Sequence, residues 1–239
     1  MKSVCAAFLM LWGTALSAQE PAFMEAGTHP GSGALYSRLF WTSPPLSGGE
    51  GGRERGGLLE SINAYGFTAR RALLFDLGLD VDGVSEGSLR LKQRFLQFDT
   101  GPIDTWRASV HGGVHWREDG DPGARLGLVS TTIRGRHGWN LQLEWNEAEI
   151  SERRYEANAS HLYRIHPVRY AADTTGAWYT MLESLNAVSS DGDVAADVAI
   201  GLLYEGRRWA CEASIRLIEP SEGISTADTV LGLGARMLW

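Results

Sequence analysis

The chemically most suggestive residues of this sequence form a run of cations. In "RLKQRF", Arg90, Lys92 and Arg94 alternate with other residues, so on an extended chain all three side chains project to one side. Such a wall either draws anions into a wet space or pairs with carboxylates such as Asp76, Asp80 and Asp197 in a ladder of salt bridges. Both readings stay open. His111 and His115 are metal-ligand types, but four residues along a strand span roughly 13 Å, too far to share one ion without a third element. "EDGDPG" at 118–123 has the acids of a calcium loop without its twelve-residue ligand schedule or closing glutamate. "GSGAL" and "SGGEGG" lack the following Lys-Ser/Thr of a phosphate-cradling loop. Ser130 and Ser160 have no His-x-Ser or Ser-x-x-Lys element beside them, so no nucleophile–base set is recognisable. The sequence thus predicts neither a cofactor nor a metal.

The elements that must position these residues repeat with a period of two. Strands are predicted at 33–42, 56–67, 69–81, 87–98, 104–116, 124–133, 138–147, 155–165, 177–188, 194–205, 207–218 and 228–239. Twelve is an even number, and lengths near ten suit a tilted strand that crosses a bilayer. In 105–116, Trp106, Ala108, Val110, Gly112, Val114 and Trp116 oppose Thr105, Arg107, Ser109, His111, Gly113 and His115. Connections after even-numbered strands are mostly tight, as in "FTA", "RGRHG" and "EGR". Those after odd-numbered strands tend to be longer and polar, above all 42–56. The long "HPVRYAADTTG" at 166–176 departs from that rule. The last strand places Leu231, Leu233, Ala235, Met237 and Trp239 on one face and closes on an aromatic residue.

The first twenty residues, "MKSVCAAFLMLWGTALSAQE", carry a lysine, an apolar run too short to span a bilayer, and small residues at "ALSA". They predict a signal peptide over 1–18 and a single domain over 19–239. Loss of Lys2 leaves 21 basic against 29 acidic residues, a balance that argues against nucleic acid as a partner. Only Cys211 then remains, so no internal disulfide can form, and no later apolar run is long enough for a transmembrane helix.

Alternation alone does not separate a membrane barrel from a soluble sandwich. The tryptophans help: Trp41, Trp106, Trp116, Trp139, Trp145, Trp178, Trp209 and Trp239 fall near predicted strand ends, where indoles form interfacial girdles. The opposite face carries Asp76, Asp80, Arg90, Lys92, Arg94, Arg107, His111, His115, Glu144, Arg164, Asp197, Glu205, Glu212, Arg216 and Arg236, the expected lumen-lining set. In a dry core each charge would cost several kcal/mol. A twelve-stranded barrel is also too wide to fill with Ala, Val and Leu, since about eight strands already give an interior that side chains just fill. Apolar face to lipid and charged face to a wet lumen meets both constraints. The alternation puts Glu183 with Tyr179, Met181 and Leu185 toward lipid, at a cost of about 2 kcal/mol near the midplane unless a bulge or a misread strand intervenes.

With strands placed, the chain resembles the outer-membrane β-barrel family of MetA-pathway-of-phenol-degradation, transporter-like proteins. The matching pieces are "NAYGFTARRALLFDLGL" (63–79), "GSLRLKQRFLQ" (87–97) and "YTMLESLN" (179–186), in order over most of 55–239. Where that family often has a Pro-Thr-Gly-Asp turn after the fifth strand, this chain has "HWREDGD". The resemblance implies an outer-membrane barrel of unknown cargo and supplies no catalytic residue. The expected fold is therefore an all-β antiparallel transmembrane barrel in outer-membrane lipid. The expected function is a passive channel for small-molecule cargo. The alternatives are a closed structural or adhesin-like barrel with a salt-bridged lumen, and an outer-membrane hydrolase. Oligomeric state is not legible.

Overall fold

A period-two chain leaves unpaired backbone at its first and last strands unless those two strands find each other. The computed structural model shows that they do. It describes residues 30–46, 57–100, 104–118, 120, 122–147, 153–166, 176–189, 192, 194–206, 208–218 and 228–239. The signal segment 1–18 lies outside the described residues, as do most of 42–56 and 166–176 and parts of 118–123 and "EGR".

The strands are β1 (Leu35–Thr42), β2 (Leu58–Thr68), β3 (Arg71–Leu79), β4 (Val84–Asp99), β5 (Thr105–Arg117), β6 (Gly123–Arg134), β7 (His137–Glu147), β8 (Arg153–Arg164), β9 (Ala177–Ser189), β10 (Val194–Glu205), β11 (Trp209–Ile218) and β12 (Asp228–Leu238). They form one closed antiparallel barrel, each strand paired with its sequence neighbours and β1 with β12 from Tyr36↔Leu238 to Thr42↔Gly232. All twelve predicted strands are present, with ends displaced by no more than three residues. The described residues contain no helix.

The outward rows are apolar around the whole circumference. On β10 they are Val194, Val198, Ile200 and Leu202, and on β11 Ile215 and Leu217, all exposed; Ile200 is 57% exposed. Monomers in water rarely expose contiguous apolar area beyond a few hundred Å². The aromatics sort to two levels. We call the end holding Leu35 and Leu238 the lower end. There Trp106, Trp139, Trp178, Trp209 and Trp239 point outward, with Phe67 and Phe98 beside them; Trp41 and Tyr155 mark the upper end. These are the two girdles of a membrane barrel.

Three register shifts, at Gly66/Thr68, Gly78/Leu79 and Arg94/Leu96, adjust the wall. The last matters for charge. Arg94 pairs with Ser109 above the bulge and Gln97 with Arg107 below it, so the inward row of β4 continues through Gln97 and Asp99. The expected asymmetry of connections fails at 80–83, which joins β3 to β4 tightly. Asp80 accepts the N–H groups of Asp82 (2.9 Å) and Gly83 (3.2 Å), and Gly83 supplies a φ of 138°. Asp80 therefore closes a turn instead of lining the interior, because β3 ends at Leu79 and the alternation stops there.

An arginine on the outward row would have to meet lipid. Ile200→Arg, at the centre of β10, is expected to destabilise the folded barrel by about 2–4 kcal/mol in lipid vesicles. Denaturant unfolding in vesicles checks this, and an unchanged midpoint would show that the row does not face hydrocarbon.

Candidate functional site

Inside, the rows that face one another are polar and charged in the upper half and densely packed in the lower half. The barrel encloses a cavity of about 430 Å³ lined from nearly every strand, mostly in the upper half, as by Glu60, Asp76, Glu86, Asn146 and Asp197, and including the cation Lys92. Below it the inward side chains close up. Phe40 is 1% exposed and Leu162 and Leu203 are 0%, and they cluster with Ala177, Tyr179, Met181 and Ala210. Val129, Thr131 and Ser109 fill the opposite side of this level, all at 0%. Among the described residues the cavity, or vestibule, therefore narrows beside the Phe40 cluster, which we call the septum, while on the β1–β3 side its lining continues down to Tyr36, Ala64 and Leu74 near the lower end.

The charges within the wall are arranged in pairs and triads. Glu212 on β11 reaches across β12 to both Arg236 of β12 and Arg38 of β1: Arg38 Nε donates to Oε1 at 2.9 Å, and Arg236 Nη2 donates to Oε2. All three side chains are almost fully buried. Gly234 makes this geometry possible, since a Cβ there would run into the Glu212 carboxylate and the Phe40 ring. Arg38 also stacks over Phe40, 4.8 Å from the ring centroid, which ties the triad to the septum. Arg216 donates to Asp197 through Nε (3.0 Å) and Nη2 (2.5 Å).

A second network spans β3 to β7. Arg90 donates to Asp76 and, through Nε, to Ser88 at 3.1 Å, while Ser88 donates to Asp76 at 2.7 Å. Arg90 Nη1 also lies 3.3 Å from His111 Nδ1. On the other side of His111, Nε2 is 3.7 Å from Glu144, which accepts from Arg125 and from Gln142 at 2.8 Å. His111 fits there because its register partner is Gly127, where a Cβ would collide with the imidazole. The two candidate histidines are not brought to a common ion: His111 sits in this network and His115 at the upper rim.

Of the sequence-selected residues, Arg90, Lys92, Arg107, His111, Glu144, Asp197, Glu212 and Arg236 are buried on inward rows, and Lys92 is 1% exposed. Asp76, Arg94, His115, Arg164, Glu205 and Arg216 are half-buried there. Arg94 reaches down to the Ala69 carbonyl at the β2–β3 turn. Arg107 approaches Asp99 at 3.9 Å.

The expectation for β9 is overturned. Tyr179, Met181, Glu183 and Leu185 form its inward row, while Trp178 and Leu182 are exposed outward. The pairing to β10 runs without a shift from Val194↔Val188 to Glu205↔Ala177, so no bulge is involved. Glu183 is 1% exposed inside the barrel, level with Ser160 across the pair. Tyr179 and Met181 face inward because the septum they join is itself apolar, and Leu185 faces the cavity. Part of the interior is also filled: Phe40, Tyr179, Met181 and long buried cations occupy width that small aliphatics could not. Sequence reasoning also missed Arg38, Glu60, Arg125, Arg154 and Glu156. Each lies on the alternation of its strand, and that phase was the signal that could have found them.

Comparison with solved structures places this architecture among porin-like barrels. The NanC porin superposes with a TM-score of 0.54 at 10% identity, covering 85% of this chain and 98% of that one. The KdgM porin gives 0.51 at 8% identity over 85% and 98%. The COG4313 outer membrane channel from Pseudomonas putida F1 gives 0.54 at 13% identity over 93% and 100%. At such identities the likeness shows the fold. No family model and no curated protein matches the sequence.

The Glu212 triad yields a direct test. Glu212→Gln leaves two buried guanidiniums without their anion and is expected to cost about 3–5 kcal/mol of stability. Unfolding in detergent micelles measures it. A loss below about 1 kcal/mol, the range of an exposed pair, would mean that water reaches the site.

Proposed function

We propose that this chain is a passive outer-membrane channel for small polar solutes, exported by its N-terminal signal segment, with the lower end toward the periplasm. The observation that carries the reading is the vestibule: about 430 Å³, within the 300–1,000 Å³ of ordinary ligand sites, set inside an apolar, girdled wall. The lumen-lining role of the charged inward residues belongs to the same proposal. The likeness to NanC, KdgM and the COG4313 channel supports it, as does the resemblance of 63–79, 87–97 and 179–186 to the MetA-pathway-of-phenol-degradation barrels. KdgM has been solved in complex with disordered oligogalacturonate, which supports a small-molecule cargo class here. Nothing in this mechanism makes or breaks a covalent bond.

Solute enters from the upper end, exchanges part of its hydration for the amides and charges of the wall, and stops at the septum. Passage widens when Phe40, Leu162, Tyr179, Met181 and Leu203, which pack together on the β8–β11 side, move apart. Such an apolar constriction gates by wetting and dewetting. The packed lower half also favours a second reading, a barrel that stays shut and serves structure or adhesion.

Planar-bilayer recording separates the two. The double variant Phe40→Ala/Leu203→Ala is expected to raise single-channel conductance roughly twofold or more over the unmodified protein. If neither protein gives current steps although both insert into the bilayer, the channel reading fails and the closed barrel stands.

A further inference from the structure

The vestibule wall carries guanidiniums and carboxylates in similar numbers, so its preference depends on which of them are already engaged. Most of the guanidiniums are. Arg38 donates to Glu212, Arg90 to Asp76, Arg125 to Glu144, Arg154 to Glu156 at 3.3 Å, and Arg216 to Asp197. Arg117, at the exposed mouth, makes no ion pair with a described residue.

Several acceptors are left over. Glu60 and Glu86 make no hydrogen bond or ion pair with any described residue. The register sets them on either side of Gly78, Glu60↔Gly78 and Gly78↔Glu86. Glu86 lies over that glycine, where a Cβ would come within 2.7 Å of its Cγ. Asp76, two residues along the same inward row, gives Oδ2 to Arg90 and Ser88, while its Oδ1 is buried with no hydrogen bond. From β7, Asn146 donates through Nδ2 to Glu156 at 3.3 Å, and its Oδ1 is likewise buried without a donor. All four residues line the one cavity. Buried acceptors without donors, and neighbouring carboxylates without a hydrogen-bonded cation, are a cost that a donor-rich positive solute removes.

We propose that the vestibule is a binding site for organic cations, with Glu60, Glu86 and Asp76 receiving ammonium groups and Asn146 accepting a further N–H from across the cavity. This runs against one of the two sequence readings of the basic run Arg90-Lys92-Arg94, a wall that draws anions. Arg90 is already committed to Asp76, and Arg94 lies below the cavity at the Ala69 carbonyl. Lys92, which lines the cavity, is 1% exposed and lies two residues along β4 from Arg90, away from Glu86. The inference rests on the channel reading only for the side from which the solute arrives.

Isothermal titration of the detergent-folded barrel with spermidine, and with citrate as the anionic counterpart, tests it. Spermidine should bind and citrate should not, and Glu60→Gln/Glu86→Gln should weaken spermidine about tenfold. Arg117→Gln should leave spermidine unchanged or tighter. Citrate binding more tightly than spermidine, or equal spermidine affinity in the double variant, overturns the proposal. Should the double variant fail to fold, Asn146→Asp adds charge at the same site and should tighten spermidine, and an unchanged or weaker affinity overturns the proposal equally. Titration in detergent needs no conduction, so a barrel that binds spermidine but never passes current loses the channel reading and keeps this one.

Discussion

The pairing of β1 with β12 is the interaction on which the rest depends. Without it, Leu35–Thr42 and Asp228–Leu238 would each present a row of unsatisfied N–H and C=O groups, intolerable in hydrocarbon and adhesive in water. Closure also creates the inside. Once β12 meets β1, Arg38 faces Arg236 across that pair and both reach the Glu212 carboxylate on β11, so the triad exists only in the closed ring. Backbone closure and charge pairing thus reinforce each other at one seam.

The interior then divides by what its residues can reach. In the lower half, Phe40, Tyr179, Met181, Leu162 and Leu203 reach one another and exclude water. In the upper half, the charges pair along the wall, as Arg216 does with Asp197 and Arg90 with Asp76, and leave space at the centre. A purely apolar interior of this width would collapse or flood, and a purely ionic one would bear the desolvation cost of every buried charge. Splitting the two between parts of the interior provides a tight region beside β8–β11 and a wet one in the same barrel.

Much of this was legible in the sequence, for a specific reason. A strand's period is two, so Val198, Ile200 and Leu202 against Asp197, Ala199 and Leu203 declare two faces without any structure. Hydrophobicity could not say which solvent an apolar row meets when both sides of the wall are apolar. On β9 the row containing Tyr179, Met181 and Leu185 resembles a lipid face, and only the acid at Glu183 marks it as interior. Asp80 failed differently, because the alternation was run one residue past the end of β3 into a turn. Partnerships such as Arg38 with Glu212, 174 residues apart in the chain, depend on ring closure and register, which a period does not encode.

The central claim is that one wall separates lipid from a charged interior that is wet beside Asp197 and dry around Leu203. The most direct measurement is spin-label accessibility along β10 in lipid vesicles, scanning 196–203 with molecular oxygen and a water-soluble nickel chelate. The account predicts that labels at 198, 200 and 202 collide with oxygen and not with nickel, that 197 sees nickel, and that 201 and 203 see little of either. Nickel access at 198, 200 and 202, or the loss of alternation along the strand, would contradict it.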